Sequence, residues 1–133
     1  MEHKEIEKRA CIRFELPGAT VSYKKKLFFS KKKYGEEFCP VLDISKGGLR
    51  FLCQRPLKNK SKAYLKISIP GERIPLTQIG QVQWASFSAG KSYKYQIGVQ
   101  FNPYGEKRGQ NSPENLTKII ALEQIILPTK ADK

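Results

Sequence analysis

Val41-Leu-Asp-Ile-Ser-Lys-Gly-Gly-Leu-Arg-Phe51 decides the fold of this chain. Val41, Leu42 and Ile44 precede, and Leu49 and Phe51 follow, a polar and glycine-bearing centre. Such residues favour extended backbone, so the stretch reads as two short strands joined by a tight turn. The turn holds the carboxylate of Asp43, the hydroxyl of Ser45, and Gly47 and Gly48. Glycine tolerates positive φ and lets a neighbouring backbone come close. Two polar side chains therefore stand beside an open, glycine-floored surface. Taken as a three-residue loop, Ser45-Lys46-Gly47 sets Cys39 opposite Cys53. A one-residue change of register removes that pairing.

Further strands flank this hairpin on both sides. Ala19–Phe29 is a candidate, with Val21 and Tyr23 on one face, and Glu37–Ile44 and Leu49–Cys53 are the arms of the hairpin. Ala63–Ile69 puts Leu65, Ile67 and Ile69 on one face and Lys66 and Ser68 on the other, the alternation of a half-buried strand. Ile74–Phe87 turns Val82 and Trp84 inward and Gln81 and Gln83 outward, with Trp84 read as core packing. Tyr93–Phe101 sets Ile97, Val99 and Phe101 against Gln96 and Gln100. Ser112-Pro113-Glu114 then opens a helix, with Ser112 as N-cap and Pro113 in the first position. Leu116, Ile119, Ile120, Leu122 and Ile126 form its apolar face, and Pro128 stops it. Six strands followed by one helix predict a mainly β protein, a small antiparallel barrel with a helical lid or brace. The pattern leaves the strand order open. Residues 1–13 read as a flexible basic arm, 14–127 as barrel plus helix, and 128–133 as a frayed tail.

A chain of 133 residues suits one domain with its own core. It carries 25 Lys and Arg against 12 Asp and Glu, a net charge of +13, so its partner is expected to be an anion. Cys11, Cys39 and Cys53 have no paired spacing, and His3 is the one histidine, which argues against a zinc site and for free thiols in a cytoplasmic protein. No apolar run nears the ~20 residues of a membrane span, and the start lacks the apolar stretch of a secretion signal. Catalysis is not expected. His3 stands alone, Ser45 has no base nearby in sequence, and no carboxylate pair is visible.

Two motifs carry chemistry. Arg9-x-x-x-Arg13 spaces two guanidinium groups so that a folded arm closes on an object from two sides. Arginine forks onto phosphate, stacks on purines and pairs with the guanine O6–N7 edge. Asp43-x-Ser45-x-x-Gly48 offers an acceptor for the guanine N1 and N2 donors and a hydroxyl for a phosphate oxygen. Each has an ordinary reading: chance spacing in a basic chain for the first, turn chemistry for the second. The lysine triplets Lys24–Lys26 and Lys31–Lys33 read as a solvated hairpin tip and sheet edge.

Together the motifs resemble those of the PilZ domain, a bacterial receptor family for cyclic di-GMP: Arg9-Ala-Cys-Ile-Arg13-Phe14 and Asp43-Ile-Ser-Lys-Gly-Gly48-Leu49. Gly80-Gln-Val-Gln-Trp84 and Tyr95-Gln-Ile-Gly98-Val-Gln-Phe101 are similar to its fifth and last strands. The resemblance covers about residues 7–127 and implies a stand-alone six-stranded barrel whose arm closes over cyclic di-GMP. It implies that Arg9 and Arg13 clasp guanine and phosphate, that Asp43 reads a guanine edge, and that Ser45, Gly47 and Gly48 shape the phosphate side. Lys8 is a weaker member, neutralising the phosphates of a second ligand molecule. No cofactor is implied beyond this ligand. The output is a signal to an unidentified protein partner, of motility, biofilm or exopolysaccharide type. A nucleic-acid-binding barrel using the lysines with Phe28, Phe29 and Tyr34, and an adaptor without ligand, rank below it.

Overall fold

In a computed structural model, which describes residues 11–25, 35–90 and 92–127, the hairpin is the middle of a closed sheet. The strands are β1 (Thr20–Lys24), β2 (Glu36–Ser45), β3 (Gly48–Cys53), β4 (Lys62–Ser68), β5 (Leu76–Phe87) and β6 (Tyr95–Phe101). The helix α1 (Pro113–Ile126) follows. The strands close in the order β1-β2-β3-β6-β5-β4, and every neighbouring pair is antiparallel. Closure gives every strand a neighbour on both sides and the alternating apolar residues one shared interior. Val21, Ile44, Leu49, Phe51, Ile67, Val82 and Ile97 fill it, all fully buried. Among the described residues no helix is long and apolar enough to cross a membrane.

Several local expectations shift. β1 ends at Lys24, short of the expected Phe29, which lies outside the described residues, as do Lys26 and Lys31–Lys33. β5 begins at Leu76 and leaves Ile74 exposed, because Pro75 has no N–H to give a ladder. The hairpin turn is two residues, Lys46-Gly47, with Ser45 opposite Gly48 and Asp43 opposite Arg50. A bulge then shifts the register, so that Val41 faces Phe51, the pairing a three-residue loop would have produced. Cys39 and Cys53 are both buried and free. A second bulge, between Val82 and Trp84 on β5, turns Trp84 out of the core. Its ring lies half-buried over Gly98, where any side chain would collide with the indole.

The entry to the barrel follows its turn chemistry. Pro17-Gly18 reverses the chain, with Gly18 at φ +85° and the Ala19 N–H donating to the Leu16 carbonyl at 3.0 Å. That is the arrangement of a type II turn, with Pro and Gly at its two central positions. At the other end of the chain, Ser112 caps α1, its Oγ accepting from the Glu114 N–H at 3.2 Å. Of the expected apolar face only Ile119 is fully buried, with Leu122 packed against the core. The helix thus stoppers the barrel through one deep side chain.

Two outcomes follow. Gly48 faces the Val99 carbonyl so closely that a Cβ would collide with it. Gly48→Ala should lower unfolding free energy by about 1–3 kcal/mol or more, as overpacking does, read by urea denaturation. Burial pushes the Cys39 and Cys53 thiols from 9.0 to about 12. Both are held neutral in the folded state, so their contribution is complete below pH ~9 and is lost as pH rises toward ~12. Denaturation at pH 8, 9, 10 and 11 should show that decline, and Cys39→Ala with Cys53→Ala should lessen it, the Tyr23 and Tyr104 hydroxyls, also pushed up by burial, carrying the rest.

Candidate functional site

The site forms where the chain enters the barrel. Phe14 and Ile44 exchange two backbone hydrogen bonds, each 2.9 Å, which fastens the segment before β1 to the end of β2. Both side chains are buried. In extended backbone the flanking residues then face the other way, so Arg13, Asp43 and Ser45 share the outer surface. Arg13 Nη1 donates to Asp43 Oδ1 at 3.2 Å across 30 residues of sequence. The two-residue turn puts Arg50 directly opposite Asp43. Arg50 Nε donates to Oδ2 at 2.9 Å and to Oδ1 at 3.1 Å, and its Nη2 also hydrogen-bonds Oδ2. This bonding pushes the Arg50 guanidinium further toward its charged form. The Asp43 side chain is 9% exposed, against 52% for Arg13 and 35% for Arg50. The surface therefore presents guanidinium groups rather than the carboxylate.

Ser45 is buried, and its Oγ accepts from the Gly47 N–H at 3.1 Å, a serine turn that leaves the hydroxyl proton unused in that bond. The Sγ of Cys11, a residue inside the Arg9–Arg13 motif, lies 3.4 Å from where a Gly47 Cβ would stand. Gly47 thus makes room for the entry segment. Gly48 is required by the barrel, through the Val99 carbonyl. Arg9 and Lys8 lie outside the described residues. On the outer face beyond Arg50 the register continues to Gly98 and then to Trp84.

A hydrogen-bond chain supports the turn from below. The Lys46 carbonyl accepts from Tyr104 OH at 2.7 Å, and Tyr104 OH accepts from Gln78 Nε2 at 3.1 Å. Gln78 Oε1 accepts from Asn115 Nδ2 of α1 at 2.7 Å. Gln78 is 2% exposed, so burial is tolerated because both ends of its amide are bonded. The Gly47 carbonyl also accepts from the Phe101 N–H at 2.7 Å. Both turn residues are tied to segments distant in sequence.

Sequence reasoning missed Arg50, Tyr104 and Gln78. Arg50 was hidden by the turn length, since a three-residue loop places Leu49 opposite Asp43. A two-residue turn would have exposed an opposite-charge cross-strand pair. Tyr104 sits in a loop and Gln78 at an inward position of β5, with no local signal for either role. Among the described residues no group of His, Cys, Asp and Glu could hold a metal ion.

The PilZ domain model matches residues 7–112, most of the chain, and the chain belongs to the PilZ domain family. Two solved structures share the fold. The Bacillus subtilis inhibitor of motility MotI/DgrA superposes with a TM-score of 0.62 at 12% identity, over 90% of this chain and 52% of that one. The K. pneumonia MrkH–c-di-GMP complex gives 0.57 at 22% identity, over 92% and 54%. This chain spans about half the length of each. No curated protein matches it.

Tyr104→Phe should isolate the brace beneath the turn. It removes the donor to Lys46 and the acceptor for Gln78 without changing the volume of the ring. A loss of about 1–3 kcal/mol is expected for buried groups left unpaired, read by thermal and urea unfolding.

Proposed function

We propose that the domain is a non-enzymatic cytoplasmic receptor for cyclic di-GMP, which lies across the outer face at the Asp43–Ser45 corner. The observation that carries this reading is the meeting of Arg13 and Asp43 from 30 residues apart, in a chain of the PilZ family. That MrkH was solved with c-di-GMP supports the choice of ligand.

The chemistry is complementary to a cyclic purine dinucleotide. Arg13 offers a planar fork for phosphodiester oxygens or for the guanine O6–N7 edge. Arg9, four residues earlier, closes from the other side, with Lys8 adding charge. Ser45 has a hydroxyl proton to give a phosphate oxygen. The indole of Trp84 offers a flat face on which a purine can lie. Ligand binding closes the arm on the barrel, and the surface so formed meets a protein partner. The ligand shifts the arm only by its differential affinity for the closed form.

Calorimetric titration with cyclic di-GMP, cyclic di-AMP and GTP in parallel tests the reading. Micromolar or tighter binding is expected for the first alone. Arg13→Ala should weaken it by roughly tenfold or more, at about 1–3 kcal/mol per arginine–guanine pair, with the barrel still folded. Unchanged affinity in that variant would remove Arg13 from the site, and indifference to all three nucleotides would end the receptor reading.

A further inference from the structure

The alternation of strand direction puts the connections β1–β2, β3–β4 and β5–β6 at one pole of the barrel and the turn between Ser45 and Gly48 at the other. The three connections run over residues 25–35, 54–61 and 88–94. They carry five, three and two of the chain's 25 Lys and Arg, and none of its 12 Asp and Glu. The connections at the other pole, 46–47, 69–75 and 102–112, mix four basic residues with two acidic ones. The carboxylates closest in sequence to the basic pole are Glu36 and Glu37, which open β2. Glu36 is engaged there by the Tyr23 hydroxyl and the N–H groups of Gln54 and Arg55.

Among the described residues only two aromatic side chains are exposed, Phe38 at 64% and Phe87 at 83%, and both stand at this pole. Phe38 sits in a bulge that sets Glu37 and Phe38 opposite Ser22. Its φ is +58°, and its N–H donates to Ser22 Oγ at 3.0 Å. Local rules favour glycine or asparagine at such a φ, and a bulge re-aims the side chain it carries. Here it presents a phenyl ring to solvent. Phe87 ends β5 and stacks on Tyr95, ring centroids 5.5 Å apart, and Tyr95 packs against the core. In the closed order the two rings are three strand intervals apart, roughly 14 Å. That is too wide to sandwich one base and suits two separate anchors.

We infer that this pole is a docking surface for an anionic lipid bilayer, with Phe38 and Phe87 entering the headgroup layer and the surrounding lysines held over its phosphates. Apolar rings among cations are the chemistry of interfacial binding. Of the ten cations in these connections nine are lysine, a hydrated point charge that suits a diffuse anionic layer, whereas the forked arginine favours single phosphates and base edges. The surface lies at the pole opposite the Asp43–Ser45 corner, so a bilayer and a nucleotide would be bound independently.

The test mixes the full chain with vesicles of phosphatidylcholine alone and of phosphatidylcholine with phosphatidylglycerol, and reads co-sedimentation. Binding to the anionic vesicles is expected, roughly tenfold or more above the neutral ones and falling as salt rises. Phe38→Gly removes a ring where glycine relieves the backbone, so folding is preserved. Combined with Phe87→Ser it should weaken anionic-vesicle binding roughly tenfold or more, with cyclic di-GMP affinity unchanged. Lys58→Gln with Lys94→Gln should weaken it further than Arg73→Gln with Arg108→Gln, a pair of equal charge at the other pole. Equal losses in the two pairs would assign binding to net charge and overturn the inference, as would undiminished vesicle binding in the double phenylalanine variant. A chain that ignores anionic vesicles overturns it too, and binding of single-stranded oligonucleotides through Phe38 and Phe87 would give the pole to nucleic acid instead. Indifference to cyclic di-GMP would end the receptor reading alone and leave this one standing.

Discussion

The organisation of this domain depends on one nearly buried carboxylate shared by two arginines from different parts of the chain. A charge in Asp43's position is costly to keep away from water unless it is paired and hydrogen-bonded. Arg50 meets that need from the opposite strand, and Arg13 from the entry segment. Because both oxygens are engaged, the side of the barrel that carries them turns guanidinium groups outward. Local polarity thus follows from an internal requirement of the hairpin, and the same requirement equips the surface for an anion.

The hairpin can impose this geometry because it is held on every side. Lys46 and Gly47 are fastened through their carbonyls to Tyr104 and Phe101. Gly48 lets β3 lie tight against β6. Through Tyr104, Gln78 and Asn115 the turn is bonded to α1, which also stoppers the interior with Ile119. The acid-and-hydroxyl corner and the C-terminal helix therefore belong to one packed unit. The entry segment joins it by two backbone bonds, by the buried side chains of Phe14 and Leu16, and by the part-buried ion pair of Arg13 with Asp43.

Much of this was legible in the chain. Alternation of apolar and polar residues in 63–69 and 95–101 marks strands because a half-buried strand repeats every second residue. Ser112-Pro113 marks a helix start because the first turn needs an acceptor side chain and has an N–H to lose. The two motifs were visible as residue types at fixed spacing, and family membership followed from them. What failed was register. A turn length wrong by one residue moved Asp43 from Arg50 to Leu49, and a bulge near Val41 then restored the expected pairing further out. The bulge before Trp84 likewise moved an aromatic from core to surface.

The sequence by itself determined which residues would be strand, turn and helix, that the protein would be a basic β-barrel, and which motifs it carries. Those are consequences of local backbone preference, side-chain periodicity and composition. Only the tertiary structure decided that Asp43 is divided between Arg13 and Arg50, that Trp84 lies outside over Gly98, and that Tyr104 braces the turn. Each of these depends on which strand lies beside which and on where one extra residue is accommodated. Closure of the whole barrel sets both, and no short window of sequence contains that constraint.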